Sequence, residues 1–335
     1  MPTSKKCDLI ILGEDHNKPY AKQLSLALLQ AAKEQRYDRV VFAYEASDLE
    51  GDRGKRSLKN LADWNNHDKE HLSPNLSNKD RQKTLKLLDA TDKLYEYVLD
   101  DANIEYIALE DSEIREECRK YIYEFKPLGD IMGPETARYY EGLALHYNKR
   151  ERFMTDTLRN HIEVPQDKKD NVFVLLLAGA DHIRNLESLF RQKMRDSDFE
   201  VNAINLPVSI NKPRDIGKDA LDVKKAIYHK DPNSQNGIIE IFQRRRGNNL
   251  QELEEEYVEK LESIFSESSI SVLKKPLSIG CSSEYIEVYR TRNNERLQSE
   301  EKLSSNHFEE EKPSGFSEDS SAIAVGGNSK TTQEL

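Results

Sequence analysis

Cysteine is scarce in this chain: three in 335 residues, at Cys7, Cys118 and Cys281. An odd number spread over the whole length supports neither a disulfide framework nor a CxxC metal site, so these read as reduced structural thiols. Also missing is any apolar run near the roughly 20 residues needed to cross a bilayer. Residues 1 to 6 lead into a strand rather than into the core of a signal peptide. A cytoplasmic protein without a membrane span is therefore expected. Basic surface is lacking too. The net charge is -11, the pI is near 5.4, and the one basic cluster, Arg244 to Arg246, is too short to bind nucleic acid or an anionic membrane.

What the chain does have is apolar strand material alternating with helical patterns up to about residue 207. That is the signature of an α/β fold with a mostly parallel central sheet and helices on both faces. Five strands are expected: Leu9 to Leu12, Arg39 to Tyr44, Ile104 to Leu109, Val172 to Ala178 and Glu200 to Leu206. Helices are expected over about 18–35, 79–100, 134–162 and 183–195. The third carries a stripe of Ala137, Tyr140, Ala144, Tyr147, Met154, Leu158 and Ile162, and begins with Pro134 and Glu135, both suited to a first turn. Arg150 falls on the stripe between Tyr147 and Met154. Either it faces inward and needs a carboxylate or ligand, or the helix turns there and releases it to solvent.

Three parts are expected: an α/β core over 1–210, a C-terminal extension over 211–290, and a disordered acidic tail over 291–335, poor in large apolar residues. Within the core, residues 47–78 are polar and without period. They read as an irregular insertion, a lid by position, in which Trp64, His67 and His71 either line the pocket or stand solvated. The extension shows a short strand at Gly237 to Phe242 and a helix over about 250–265, apolar at Leu250, Leu253, Tyr257, Leu261 and Ile264 and glutamate-rich on its other face.

Chemistry gathers where the strands end. Glu14 and His16 follow the first strand, with Asp15 between them, Glu45 follows the second, Glu110 and Asp111 the third, and Asp181 and His182 the fourth. Taken singly, Asp111 and Asp181 read as helix caps. On a parallel sheet, however, all these ends face one crevice. Two histidines and several carboxylates suit a divalent ion with an open position, for which Glu14, His16, Glu45 and His182 are the ligand candidates and Mn, Co, Zn or Fe the candidate metals. Without metal, the same set suits a histidine base oriented by a carboxylate. Repulsion among Glu14, Glu45 and Glu110 calls for a cation in either case, a metal or an arginine. At an open strand end, His182 is expected to contribute little packing.

The string Arg150-Glu151-Arg152-Phe153-Met154 resembles the helix motif of the erythromycin esterase, ChaN-like and Tiki (TraB-type) superfamily, with Arg150 and Met154 as the positional matches. Gly13-Glu14-Asp15-His16, Glu45 and Ala178-Gly179-Ala180-Asp181-His182 resemble its other boxes in order and context. The resemblance spans residues 8 to 207. It implies a pocket at the strand ends in which His16 and His182 are bases or metal ligands, Glu14 and Glu45 orient or ligate, and Arg150 holds a substrate carboxylate or an oxyanion. Relatives of that kind include esterases, metal-dependent peptidases and haem binders. The expected function is a soluble hydrolase acting on an ester, lactone or amide of a small molecule or peptide. The alternatives are a noncatalytic metal- or haem-binding protein, or a scaffold secreted into a host cell by a type IV system to bind a host protein. For the last, the Glu309-Glu310-Glu311 tail resembles the glutamate-rich C-terminal signal of such effectors.

Overall fold

The computed structural model describes residues 5–16, 18–35, 37–48, 51–125, 133–163, 171–207, 216–229, 259–266 and 269. Five strands, β1 (Lys5–Glu14), β2 (Arg39–Ser47), β3 (Ile104–Glu110), β4 (Asn171–Gly179) and β5 (Phe199–Pro207), form one sheet in the order β3-β2-β4-β1-β5. Every pairing is parallel. All carboxyl ends therefore lie along one edge.

Both faces of the sheet are covered, which is why its strands are continuously apolar. On one face Ile10, Leu12, Val40, Phe42, Phe173 and Leu175 pack beneath helices α1 (Pro19–Glu34), α2 (Lys55–Glu70) and α3 (Asn78–Asp100). On the other, Leu9, Ile11, Val41, Val174 and Leu176 meet Met154, Leu158 and Ile162 of α5 (Pro134–Glu163) and Ile183, Leu186 and Phe190 of α6 (Ile183–Lys193). Gly13 lets the β4–α6 turn approach β1, since a Cβ there would meet Ile183 at 3.0 Å and the backbone of Ala180 at 3.2 Å.

Three sequence expectations need correction. Residues 47–78 are not irregular: α2 occupies Lys55–Glu70. Its period escapes detection because it buries a narrow stripe, Ser57 and Leu58, and is otherwise held by polar contacts to α3. Asn65 donates to the Leu88 carbonyl at 2.9 Å, and Lys69 pairs with Asp89 at 2.7 Å. Helix α4 (Ser112–Phe125) was also unforeseen; Cys118 is its single buried residue, so it too shows almost no apolar face. Past Pro207, helix α7 (Ile216–Tyr228) packs Ala220, Val223 and Ala226 against Ala137 and Tyr140 of α5. Of the helix expected near 250–265, only its end is described; there Leu261, Ile264 and Phe265 join the first core cluster. The strand at 237–242, Cys281 and the tail fall outside the described residues. Among those described, no helix is long and apolar enough to cross a membrane.

Candidate active site

Sheet order sets the order of the site. Reading across the carboxyl edge, β3 brings Glu110, β2 brings Glu45, β4 ends at Gly179 just before His182, and β1 brings Glu14 and then His16. The ladder of β2 follows β3 and β4 up to Tyr44 and then shifts before Ser47. Such irregularities re-aim side chains, and here Glu45 turns back to accept the Gly179 amide.

Almost every charge at this edge is matched by another. Glu14 accepts from Lys22 of α1 and lies 2.7 Å from Nδ1 of His16; Lys22 also donates to the Tyr44 hydroxyl at 3.0 Å. Arg150 of α5 donates to Glu45 at 2.8 Å and, through Nε, to Glu110 at 2.7 Å. His182 sits between two carboxylates, with Nδ1 2.9 Å from Glu151 and Nε2 3.5 Å from Glu45, and its ring stacks on Tyr147 at 4.7 Å. Asn185 donates to the other oxygen of Glu151 at 3.2 Å. Three of these groups converge on Gly179. A Cβ there would stand 3.2 Å from both Glu45 Oε2 and His16 Nε2 and 3.7 Å from the His182 ring. Glycine is thus what keeps a gap open between His16 and Glu45.

Electrostatics follow from the inventory. Among the described residues, Glu14, Glu45, Glu110 and Glu151 face two permanent cations within the cluster, Lys22 and Arg150, with Arg115 reaching Glu110 from outside at 3.5 Å. Protons on the histidines make up the difference. Burial opposes a charge on His182, yet the carboxylates of Glu45 and Glu151 raise its pKa. Burial likewise opposes a charged His16, and Glu14 overcomes it, raising the imidazole to about 9; half of that side chain is open to solvent, which screens the pairing. For Glu14, burial pushes upward, but Lys22 and His16 hold the carboxyl down at about 2. Glu45 is also held at about 2, by His182 and Arg150 against burial. Burial and the neighbouring charge of Glu45 move Glu110 the other way, upward.

The structure brings together Glu14, His16, Glu45, Glu110, Arg150 and His182. Arg150 faces inward, as its place on the stripe requires, and its charge is engaged by two carboxylates. Asp111 is the cap of α4, accepting from the amides of Glu113 at 3.0 Å and Ile114 at 3.1 Å. Asp15 stands in the β1–α1 turn, 3.9 Å from Lys18. Asp181 lies in the turn before His182; after burial, its charge is the next cause that keeps the Tyr147 hydroxyl protonated. Trp64 is 74% exposed on α2 rather than lining the crevice, and His67 and His71 stack on each other with ring centres 4.0 Å apart. His182 is far from a bare strand end: with 3% exposure and a buried carboxylate depending on it, it is part of the packing.

Two site residues escaped the sequence reading, Lys22 and Glu151. Both left a signal. Lys22 stands on the buried stripe 18-22-25-29-32 of α1, and Glu151 on the same α5 stripe as Tyr147, Met154 and Leu158. A charge on a buried stripe requires a buried partner. Lys22 and Arg150 meet part of the need for a cation among the carboxylates. Among the described residues, no group of three or more His, Cys, Asp or Glu side chains is arranged to hold a metal ion. Of the expected ligand set, Glu14 is engaged by Lys22, Glu45 by Arg150 and His182 by Glu151, while Nε2 of His16 faces Gly179.

No family model matches the chain, and no curated protein matches it. A solved structure of ChaN from Campylobacter jejuni, described as showing cofacial haem binding, is 18% identical; the similarity covers 59% of this chain and 80% of that one, with a TM-score of 0.29.

Proposed function

We propose that the carboxyl-edge crevice is a metal-free hydrolytic site for an ester, lactone or amide, with His16 as the base that activates water. One observation carries this reading. The imidazole is fixed through Nδ1 to Glu14 at 2.7 Å, half open to solvent, and presents Nε2 to the gap kept clear by Gly179. A histidine oriented by a carboxylate at one nitrogen and open at the other is the arrangement for moving a proton.

In this scheme Glu14, held ionised by Lys22, orients the ring. Nε2 takes a proton from water as its oxygen bonds to the carbonyl carbon, and returns that proton to the leaving oxygen or nitrogen as the scissile bond breaks. Glu45 forms the facing wall. Arg150 and His182 are positioning residues that keep Glu45 ionised and in place; with its guanidinium committed to Glu45 and Glu110, Arg150 is not the group that receives a substrate carboxylate.

The test is a panel of ester, lactone and peptide substrates against the wild type and His16→Ala, with circular dichroism to verify the fold. Turnover lost in a folded His16→Ala protein is the expected result, and unchanged turnover would overturn it. Elemental mass spectrometry and haem titration run beside it. A stoichiometric metal lost in the His16→Ala, His182→Ala double variant would replace the metal-free scheme. A Soret band without turnover of any substrate would replace catalysis with haem binding.

A further inference from the structure

One buried charge at the carboxyl edge breaks the pattern of matched partners. Lys18 is 4% exposed, yet its ammonium finds no hydrogen-bond partner among the described residues. The nearest carboxylate oxygen is that of Asp15 at 3.9 Å, beyond hydrogen-bond reach. Lys22, one helical turn away and equally buried, donates to both Glu14 and Tyr44. An ammonium has three protons to donate, and burying it with none satisfied is costly. Native structures rarely leave such a group empty-handed, and an absent ion or ligand is one of the few reasons that they do.

Its location narrows what would satisfy it. The Lys18 amide donates to the Asp15 carbonyl at 2.9 Å, and the ammonium stays near the Asp15 side chain, so Lys18 belongs to the same tight turn as His16. It is also the N-cap position of the 16-residue helix α1, where no side chain caps the backbone amides and no acidic residue stands in the first turn. Positive helix end, unsatisfied ammonium and half-exposed imidazole thus share one turn, and the chemistry they favour is negative.

We propose that the β1–α1 turn binds a small oxyanion, a carboxylate or phosphate group of the substrate, with Lys18 as its principal donor. This rests on the crevice being the substrate site, but binding is read without turnover and so stands or falls apart from the hydrolase scheme. The oxyanion takes the protons that Lys18 has no partner for. Its bound position at the start of α1 places the rest of the molecule beside His16. The site therefore selects substrates that carry an anionic group near the bond to be broken.

The experiment is thermal denaturation and calorimetry of the full chain with inorganic phosphate or acetate, at constant ionic strength set by chloride. Wild type is compared with Lys18→Met and Lys18→Gln, the second kept in case the first does not fold. Expected is a saturable rise in Tm with at least one of the two anions, and binding at least about tenfold weaker in the variants, since a hydrogen bond to a charged group is lost. Phosphate alone acting would assign a phosphate ester; acetate acting as well would assign a carboxylate. In the absence of anion, Lys18→Met should melt no lower than wild type, because a buried ammonium without a hydrogen bond is replaced by an apolar chain of similar length. Equal stabilisation of wild type and variants, or no saturable effect of either anion, would overturn the proposal.

Discussion

The two edges of the sheet use the same three residue types for different ends. At the amino edge, Arg39 grips Glu105 through Nε at 2.8 Å and a terminal nitrogen at 2.7 Å, while His161 adds a third contact to that carboxylate at 3.0 Å. The arginine also donates to the carbonyls of His161 and Ile162 at the end of α5, so one side chain ties a strand to a helix terminus. At the carboxyl edge Glu45 and His182 are more deeply buried than Glu105 and His161, their partners are other side chains apart from the Gly179 amide on Glu45, and a half-open histidine and an unsatisfied lysine stand at the same edge. The amino-edge cluster lines a pocket of about 480 Å³, yet an ion cluster whose arginine is spent on backbone carbonyls reads as a clamp. One that stays open at a histidine and a lysine reads as a site, since binding and chemistry need a group left over.

The sharpest break between the edges is catalytic. His16→Ala should lower turnover by about 10²- to 10⁴-fold, the usual worth of a general base, and leave the melting temperature nearly unchanged because the ring is half exposed. His161→Ala, at the opposite edge, should leave turnover at the wild-type level; a loss comparable to that of His16→Ala, in initial rates on the same substrate, would erase the distinction.

Stability should respond the other way. Removing either arginine takes the main cation from its carboxylates, so Arg150→Met should cost about 3–5 kcal/mol in urea denaturation and Arg39→Met less, because Glu105 keeps His161 and is partly exposed. Only Arg150→Met should also disturb the substrate side. His182→Ala follows at about 2–3 kcal/mol, because Glu151, fully buried, loses its imidazole partner. Gly179→Ala should cost less, about 1–2 kcal/mol, as the new methyl group crowds His16 and Glu45 at 3.2 Å. Its effect on turnover should exceed that on stability, since the methyl group fills the gap where water would be activated.

These contrasts also show what the sequence made legible. The strand runs and the acidic or histidine residues after them located the carboxyl edge, because a buried parallel strand announces itself by uninterrupted apolar residues. Arg150 was visible as a charge on an apolar stripe. Lys22 and Glu151 obey the same rule and were overlooked: Lys22 adjoins a residue pattern dominated by alanine and leucine, and Glu151 stands between two arginines that draw the eye to the surface. The amino-edge clamp was invisible. Arg39 and Glu105 lie 66 residues apart, and only the pairing of Val40 with Ile104 across β2 and β3 brings them together. Helices α2 and α4 were missed for a related reason, since helices that bury one or two residues carry no period to read.

pH offers the finest cut through the comparison. Glu14 is held at about 2, below its ordinary 4.5, so its contribution to stability is complete above pH 4.5 and is lost as pH falls toward 2. Glu105, held at about 2 by Arg39 and His161 against burial, behaves alike at the other edge, so acid should weaken both clusters together. Alkali separates them. His16 is raised from 6.5 to about 9; its pairing with Glu14 is therefore complete below pH 6.5 and disappears as pH rises through 9. Because half of that side chain is solvated, the loss in Tm over this interval should be small, and His16→Ala should abolish it. Over the same interval the neutral imidazole gains population, so turnover in the scheme proposed above should climb with pH and level off near 9. A rate that climbs while the melting temperature declines would tie both changes to one proton on His16, whereas a rate flat from pH 6.5 to 9 would remove His16 from the role of base.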